Sequence, residues 1–342
     1  MESDDRTSRS NIDSVNINNI NAMLQNDDLC DFTDTFSPKQ EGHFRFVLQN
    51  PNGVNVYKEK DPDYLPSILT LKDNDVDAIC LPESNVPWHK NDLHYDISKQ
   101  NQLTWGYLPT KTITASCRKD QTTSKNYQPG GALTIVTSNL TTKIKSTSSD
   151  PLGRWTKVIF HAKGGGIALY TVYRHNKNTV KNAGCETAWM QQYRQLEKSE
   201  KKKENPRRQI VIDLIEDITA GYQQKTWAIV AGDFNEDLTD NENGGLHDLL
   251  DACNMTSIFD YKHGYTPSTR HNSRSIDHFF ITRTLQHSIS KAGMVPLEIG
   301  FTTSDHRGLY VDFHPDILDT RNVNIIPPQY RKLRMNNAVK VE

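Results

Sequence analysis

Hydrophobic and polar positions follow two different spacings along residues 42–315 of this chain. Short apolar runs bounded by turn-forming residues indicate strands over residues 44–49, 77–81, 131–136, 155–160, 167–173, 227–231, 275–282 and 308–313. Apolar residues three and four positions apart indicate helices over residues 64–71, 186–203 and 245–253, and a fourth helix that begins at Pro206. This mixture predicts an α/β fold.

Local signals refine this pattern at two places. Asn205 followed by Pro206 is typical of a helix start, because Asn caps the first turn and Pro fits its first position. The glycines at 164–166 join two predicted strands, whereas a phosphate-binding loop would have to open a helix. We therefore interpret them as a hairpin turn. The three predicted strands between residues 131 and 173 are expected to be consecutive and antiparallel.

The polar flanks predict the domain limits. Residues 1–41 are rich in Asn, Asp, Ser and Thr, so they bury too little surface to offset chain entropy, and we expect disorder. Residues 316–342 contain Pro327-Pro328 and scattered basic residues, which indicates an extended tail. In a chain of 342 residues, one large domain over 42–315 is the simplest interpretation.

Composition excludes several classes of protein. The net charge of −2 gives no overall field that would draw the chain onto nucleic acid, so such a surface would have to be local. Five widely separated cysteines without a CxxC pair favour reduced thiols and argue against a structural zinc site. Cys80 lies within a predicted strand and is expected in the core.

The chain also lacks the apolar segments that targeting and membrane insertion require. Its first residues are acidic with no apolar core behind them, and no run approaches the roughly 20 apolar residues of a membrane span. We expect a soluble intracellular protein, nuclear or cytoplasmic and not secreted. We also expect it to be monomeric and without a membrane partner.

Polar residues gather at the ends of the predicted strands. They are Asn50, Glu83, Tyr173, Asp233, Asn235, Asp277, Asp305 and His306. In a layered α/β fold, side chains at neighbouring strand ends converge on one rim, so this set predicts one site. Its oxygen ligands suit Mg²⁺, or Mn²⁺, with Glu83 as the primary ligand and Asn50 and Asp305 close to it.

The remaining residues of the set suit phosphoester cleavage. His306 is expected to act as a base or as a donor to phosphate, with Asp277 accepting its other ring proton and fixing the tautomer. Asp233 is expected to position or deprotonate the attacking water, and Asn235 to donate to a phosphate oxygen.

Each of these motifs occurs by chance in turns, but their order along the chain does not. The motifs are Leu48-Gln49-Asn50-Pro51-Asn52-Gly53, Leu81-Pro82-Glu83-Ser84, Tyr170-Thr171-Val172-Tyr173-Arg174, Gly232-Asp233-Phe234-Asn235, Ser275-Ile276-Asp277-His278 and Ser304-Asp305-His306. As a set they closely resemble the DNase I-like endonuclease/exonuclease/phosphatase superfamily, over residues 43–314.

The resemblance implies a four-layer sandwich of two packed mixed β-sheets flanked by helices, with a Mg²⁺- or Mn²⁺-dependent phosphoesterase site at one end. Asn50 and Glu83 match the metal-binding Asn and Glu, and Asp305 matches the metal-proximal Asp. Asp233 and Asn235 match the catalytic Asp and the phosphate-binding Asn, and His306 with Asp277 matches the His–Asp pair. Tyr173 stands where the family often has a Tyr that contacts phosphate.

Flanking residues separate the branches of the family. Asn52 stands where apurinic endonucleases often carry Asp, and Pro82 replaces a common Gln. Glu236-Asp237 replaces the Tyr/Phe-Arg typical of inositol-phosphate phosphatases, so a phosphate-rich ligand is expected to meet two unfavourable charges. Residues 205–209, 232–236 and 327–334 look most like endonuclease modules of non-LTR retroelements, which implies a DNA partner and a possible fusion to a reverse transcriptase.

Other groups of residues leave alternatives open. A basic run either contacts the DNA backbone or is a solvated helix end; it comprises Lys198, Lys201, Lys202, Lys203, Arg207 and Arg208. Four aromatic residues more commonly pack than stack on bases, namely Trp88, His89, Trp105 and Trp155. Arg174 and His175 follow Tyr173 at the predicted rim and are expected to contact the substrate.

Three functions fit the pattern. The first is a metal-dependent endonuclease that nicks DNA and leaves a 5′-phosphate and a 3′-hydroxyl. The second is a phosphatase or phosphodiesterase of the same fold that acts on a small or lipid phosphoester. The third, a non-catalytic binding module, is disfavoured because every expected ligand and the His–Asp pair are present.

Overall fold

Twelve strands form two six-stranded sheets in the computed structural model, which describes residues 33–55, 64–117, 127–176, 187–198, 205–240, 242–269 and 274–318. The strands are β1 (Phe44–Leu48), β2 (Ala78–Pro82), β3 (Thr110–Ala115), β4 (Ala132–Thr137), β5 (Ile144–Ser149), β6 (Trp155–Ala162), β7 (Gly165–Tyr173), β8 (Thr226–Asp233), β9 (Met255–Ser257), β10 (Asp277–Thr282), β11 (Ile289–Met294) and β12 (Leu309–Phe313). The strand order is β11-β12-β1-β2-β4-β3 in the first sheet and β5-β6-β7-β8-β10-β9 in the second.

Both sheets are mixed, because β1 runs parallel to β2 and β7 runs parallel to β8 while their other neighbours are antiparallel. The α-helices are α1 (Tyr64–Asp73), α2 (Asn91–Trp105), α3 (Ala188–Lys198), α4 (Pro206–Gln223), α5 (Leu246–Ala252) and α6 (Ile258–Lys262). The short segments Ser138–Lys143, Arg283–Ser288 and Pro315–Ile317 are 3₁₀-helices.

Three apolar layers explain why the strands are apolar on both faces. Phe46, Phe160 and Phe279 belong to the core between the two sheets. Val47 and Ile79, which point the other way, pack with α1 and α2 over the first sheet. A third core packs α4 and α5 against the second sheet. The predicted four-layer sandwich is therefore confirmed, and burial on both faces accounts for the continuous apolar runs.

The hydrophobic pattern located strands without assigning them to a sheet. β4 pairs with β2 and β3 in the first sheet, so the expectation of three consecutive antiparallel strands between residues 131 and 173 is wrong. Of these three predicted strands, β6 and β7 pair as a hairpin, and Gly164 in its turn has a φ of 80°, which confirms the hairpin interpretation of the glycines. The polar sequences of α2 and of the largely exposed β5 gave no clear signal.

Helix α4 begins as its sequence predicts. The side chain of Asn205 accepts a hydrogen bond from the backbone N–H of Arg207 at 3.0 Å, and Pro206 occupies the first position. The helix predicted over 186–203 is described as α3, while residues 199–204 lie outside the described part of the chain. Within that part, no helix combines the length and hydrophobicity needed to cross a membrane.

The packed domain is longer at both ends than residues 42–315. The backbone N–H of Asp34 donates to Ala292 at 3.1 Å, and the Phe36 ring lies 4.9 Å from that of Tyr310. Ile317 and Leu318 are buried in the core between the sheets. The boundaries predicted at 41 and 316 are therefore corrected, because a few apolar residues in polar surroundings find partners on the sheets. Residues 1–32 and 319–342 lie outside the described residues.

Candidate active site

Strands of both sheets deliver polar side chains to one end of the sandwich. Asn50 and Glu83 follow β1 and β2 of the first sheet, while Tyr173 and Asp233 end β7 and β8 of the second. Asp233 pairs in register with Tyr173 on one side and with Asp277 of β10 on the other. The preceding Gly232 allows this approach, since a Cβ there would lie 2.3 Å from the carbonyl oxygen of Val172.

Asn50 connects the carboxylates of the two sheets. Its Nδ2 donates to Glu83 Oε2 and to Asp233 Oδ2, each at 2.8 Å, and its Oδ1 accepts from the backbone N–H of Asn52 at 2.8 Å. Its side chain is completely buried. These three bonds fix the orientation of the amide and hold Glu83 and Asp233 close together.

The predicted pair of His306 and Asp277 forms. His306 Nδ1 lies 2.6 Å from Asp277 Oδ2, and Nε2 lies 3.5 Å from Asn50 Nδ2. Burial alone lowers the pKa of His306, but the charge and hydrogen bond of Asp277 outweigh it and raise that pKa to about 10. A protonated imidazole at neutral pH donates protons, so the geometry favours the phosphate-donor role of His306 over the base role.

Asp233 has the properties of a proton acceptor. Its carboxylate is buried, and burial together with the nearby charge of Asp277 raises its pKa to about 8, although His306 opposes the shift. Its Oδ1 accepts the backbone N–H of Asn235 at 2.9 Å. A carboxylate whose pKa lies near neutrality can take a proton from an attacking water.

The remaining predicted residues lie around this centre. The Tyr173 hydroxyl hydrogen-bonds Glu83, and burial with the charge of Glu83 raises the Tyr173 pKa well above its usual value. Asn235 Nδ2 donates to the carbonyl of Arg174 at 2.8 Å, which leaves its second amide hydrogen for another acceptor. Asp305 is exposed, and its Oδ1 lies 4.0 Å from His306 Nε2.

The structure does not bring Arg174 and His175 to the open rim. The Arg174 guanidinium is fully buried and pairs with the carboxylate of Glu236. His175 is also buried, and burial lowers its pKa to about 3, so it is neutral. The predicted substrate contacts are therefore corrected, because the chain turns inward directly after β7.

Glu236 and Asp237 do not present their charges to a ligand, contrary to the expectation from their sequence. Glu236 is fully buried against Arg174, and Asp237 accepts hydrogen bonds from Thr239, Tyr265 and Ser275. Both carboxylates stabilise the loop after β8 through these contacts. A phosphate-rich ligand therefore does not meet these two charges, and the expectation that it would is wrong.

Most other candidates for substrate contact have packing roles. Trp88, Trp105 and Trp155 are buried, as expected, whereas His89 is exposed. In the basic run, Arg207 is buried while Lys198 and Arg208 are exposed. Lys201, Lys202 and Lys203 lie outside the described residues.

Several residues that hold the site were missed by sequence reasoning. The Gln49 side chain bonds the backbone of Phe301 in both directions and so fixes the loop before β12. Ser304 Oγ donates to the Asn50 carbonyl and accepts from the His306 N–H. Ser268 Oγ accepts from the Asp277 N–H at 2.9 Å. Gln49 and Ser304 lie within the recognised motifs but had been given no role, whereas Ser268 carries no sequence signal.

The donor set fits a divalent cation. Three carboxylates, those of Glu83, Asp233 and Asp277, surround the single imidazole of His306, so the cluster carries excess negative charge. Asp277 Oδ1 is buried and has no hydrogen-bond donor among the described residues. Oxygen ligands with surplus negative charge suit Mg²⁺ or Mn²⁺.

Two groups of residues compete as the place for that cation. Asp233, Asp277 and His306 offer buried ligand atoms within 4.8 Å of one another. However, Asp277 Oδ2 and His306 Nδ1 already bond each other, and a protonated imidazole has no lone pair to offer a metal. Glu83, with Asn50 and Asp305 nearby, is therefore the better candidate.

These features define the class of the protein. Two mixed sheets with a carboxylate and imidazole cluster at one end form the DNase I-like sandwich of a phosphoester hydrolase. The model of the Endonuclease/Exonuclease/phosphatase family matches residues 52–306, and the chain belongs to this family. No curated protein matches the chain in sequence.

Solved structures share the fold at low identity. The AP endonuclease LMAP from Leishmania major is 14% identical with a TM-score of 0.53, over 90% of this chain and 99% of its own. The 3′ phosphatase NExo from Neisseria, bound to a product DNA hairpin, is 17% identical with a TM-score of 0.51, over 79% and 99%. The endonuclease domain of the non-LTR retrotransposon TRAS1 is 12% identical with a TM-score of 0.46, over 80% and 99%, a similarity too low to bear on origin.

Proposed function

We propose that this protein is a divalent-metal-dependent endonuclease that hydrolyses one phosphodiester of DNA and leaves a 5′-phosphate and a 3′-hydroxyl. One observation carries the proposal: the His306–Asp277 pair faces the buried Asp233, which Asn50 joins to Glu83. A binding module gains nothing from a buried carboxylate whose pKa is raised to about 8 by burial and like charges.

Glu83 and Asp305 would hold Mg²⁺ or Mn²⁺ through carboxylate oxygens, and Asn50 through the remaining lone pair of its Oδ1, because its Nδ2 is a donor that already bonds Glu83. Bound there, the cation supplies Lewis-acid stabilisation of the charge that develops on the phosphoryl and leaving oxygens. Tyr173 and Asn50 both donate to Glu83 and fix the direction of its carboxylate. Such hydrogen-bonded partners orient ligands and tune their affinity.

The remaining residues handle protons and phosphate oxygens. In its ionised form, Asp233 accepts a proton from the water whose oxygen bonds to phosphorus. The P–O3′ bond breaks, and the leaving 3′ oxygen takes its proton from solvent. His306 Nδ1 keeps its proton and donates it in the hydrogen bond to Asp277, while His306 Nε2 donates a hydrogen bond to a non-bridging oxygen of the phosphate. Asn235 donates its free amide hydrogen to the same phosphate.

One comparison favours DNA over a small or lipid phosphoester. The solved structures with TM-scores above 0.5 include an AP endonuclease and an enzyme bound to product DNA. Glu236 and Asp237 are buried and do not repel a phosphate-rich ligand. A small phosphoester therefore remains the second candidate substrate.

Finer assignments extend the proposal. The motifs at 205–209 and 327–334 support a target-site nuclease derived from a non-LTR retroelement, and a reverse-transcriptase frame directly downstream in the genome tests this origin. We also propose that the protein is a monomer and that it is located in the nucleus or the cytoplasm. Gel filtration with light scattering, and imaging of the tagged protein, measure these two properties.

One assay separates the candidate functions. Purified protein is incubated with supercoiled plasmid, an abasic duplex and inositol phosphates, each with Mg²⁺ or EDTA. We expect nicked DNA only with Mg²⁺, abolished by Asp233→Ala and retained in Asp240→Asn, whose carboxylate pairs with the half-exposed Arg274. Phosphate release without nicking would support the second candidate. Inertness toward all three substrates would support a binding module.

A further inference from the structure

We propose that Arg207 is a positioning residue that fixes Asn235 for its contact with the scissile phosphate. The inference rests on the proposed function, because Asn235 acts only if the site cleaves a phosphoester. Arg207 lies in the first turn of α4 and is 3% exposed, so DNA cannot reach its guanidinium. A buried guanidinium with several bonds acts on its neighbours instead.

The guanidinium of Arg207 joins the segments that leave β7 and β8. Its Nη2 donates to the carbonyl oxygen of Asn235 at 2.9 Å, and its Nη1 donates to that of His175. These two segments begin directly after Tyr173 and Asp233. Arg207 therefore joins the two segments beyond the last strand pair, together with the bond from Asn235 Nδ2 to the Arg174 carbonyl.

Arg207 is itself held in place by charged neighbours. Its Nε lies 2.9 Å from Glu242 Oε1, and its Nη2 lies 3.1 Å from Glu242 Oε2. Its carbonyl accepts from Arg174 Nε at 2.9 Å, and Arg174 pairs in turn with Glu236. We call these four residues, Arg174, Arg207, Glu236 and Glu242, the arginine cage. Two arginines and two glutamates balance, so the cage acts through geometry.

The backbone of Asn235 shows why such a support is needed. Its φ is 50°, in the left-handed region that residues other than glycine occupy sparsely, although Asn enters it more readily than most. Such a conformation persists only where neighbouring bonds over-determine it. Asn235 has three: its N–H to Asp233, its Nδ2 to the Arg174 carbonyl, and its carbonyl to Arg207.

A lysine cannot reproduce the contacts of Arg207. Its single ammonium lacks the planar fork that bonds Asn235, His175 and Glu242 at once. Arg207→Lys keeps the charge but frees the Asn235 carbonyl, and a small displacement of a positioned group can lower a rate by about 100-fold. Because the contact of Asn235 strengthens in the transition state, kcat should fall while KM changes little.

The test is a double-mutant cycle with a matched control. We compare Arg207→Lys, Asn235→Ala and the double variant with Arg208→Lys, the same change at the exposed neighbouring position. Substrates are supercoiled plasmid and the generic phosphodiester bis(p-nitrophenyl) phosphate. We expect Arg207→Lys to lower kcat by about 10- to 100-fold, and by less than about 2-fold when Asn235 is already Ala. Equal losses in both backgrounds would overturn the positioning role.

A second measurement is independent of catalysis. The side-chain amide resonances of Asn235 should shift or broaden in Arg207→Lys and remain unchanged in Arg208→Lys. Unchanged Asn235 resonances in both variants would overturn the inference whatever the substrate proves to be. Inertness of the wild-type protein toward both phosphodiesters, with the Asn235 signal still responding to Arg207→Lys, would instead overturn the proposed function alone.

Discussion

Two buried charged regions lie side by side at the end of the sandwich and differ in their balance of charge. In the catalytic cluster, defined as Asn50, Glu83, Asp233, Asp277 and His306, three carboxylates surround one imidazole. In the arginine cage, two guanidinium groups face two carboxylates. Asn235 touches both regions, because its N–H bonds Asp233 and its carbonyl bonds Arg207.

The difference separates a reactive site from its support. Burial, reinforced by the charge of Asp277, raises the pKa of Asp233 to about 8 and makes it a proton acceptor near neutrality. The surplus of carboxylates over imidazole in the cluster leaves a place for a cation. In the cage, burial and the neighbouring Arg207 lower the pKa of Arg174 only to about 10, so it stays charged at neutral pH. Burial alone therefore does not distinguish the catalytic cluster from the arginine cage, whereas the balance of charge does.

The largest expected effect is on catalysis in the cluster. Asp233→Asn removes the proton acceptor and should lower kcat by about 10² to 10⁴. Its free energy of unfolding in EDTA should change by less than about 1 kcal/mol, because relief of repulsion from Asp277 offsets a lost hydrogen bond. Single-turnover nicking and urea unfolding measure the two quantities. A large loss of stability in this variant would show that Asp233, like the arginine cage, mainly stabilises the fold.

The next effect concerns stability in the cage. Arg174→Met leaves the buried carboxylate of Glu236 without its main partner and should lower the free energy of unfolding by about 3 to 5 kcal/mol. The matched control is Arg274→Met, which removes a half-exposed pair with Asp240 and should cost about 0 to 1 kcal/mol. Urea unfolding compares them, and similar losses would mean that the cage is not a buried support.

A smaller effect is expected on metal affinity. Glu83→Gln should raise the Mg²⁺ concentration needed for half-maximal activity by about 10- to 100-fold, with partial rescue by excess Mn²⁺. Glu242→Gln, in the cage, should leave that concentration unchanged. Titrations of the nicking rate with Mg²⁺ distinguish the two variants. An equal shift in both would show that the catalytic cluster has no greater part in metal binding than the arginine cage.

The smallest effect is expected for Tyr173→Phe, which removes the hydroxyl bonded to Glu83 and keeps the ring. A hydrogen bond to a charged group contributes at least about 1.5 kcal/mol, and Asn50 still holds Glu83, so the rate or metal affinity should fall by about 10-fold. Steady-state kinetics across Mg²⁺ concentrations measure it. An unchanged profile would show that Asn50 alone orients Glu83.

The contrast between these regions also marks what the sequence could predict. Asn50, Glu83 and Asp233 lie where apolar strands end, whereas Asp277 and His306 lie at or just before the start of β10 and β12. Short-range pattern and motif order therefore located all five. Arg174 and Arg207 looked like substrate contacts because they are basic and near the rim. Their burial depends on Glu236 and Glu242, which lie 62 and 35 residues further along the chain. Pairing across such separations has no local signal.

The same limit applies to the fold. Apolar runs located β1, β2, β4, β6, β7, β8, β10 and β12, and their mixture with helices predicted an α/β fold, while the sandwich was implied by the family resemblance. They did not place β4 in the first sheet, because its partners β2 and β3 are chosen by tertiary packing. The polar β5 was missed because its residues face solvent and lack an apolar period.

The most direct test of the central claim is the position of a bound cation. Crystals soaked in Mn²⁺ and measured for its anomalous scattering should show one ion at Glu83, beside Asn50 and Asp305, and that peak should weaken in Glu83→Gln soaked at the same Mn²⁺ concentration. An ion at Glu236 or Glu242, or no ion within the catalytic cluster, would contradict the account.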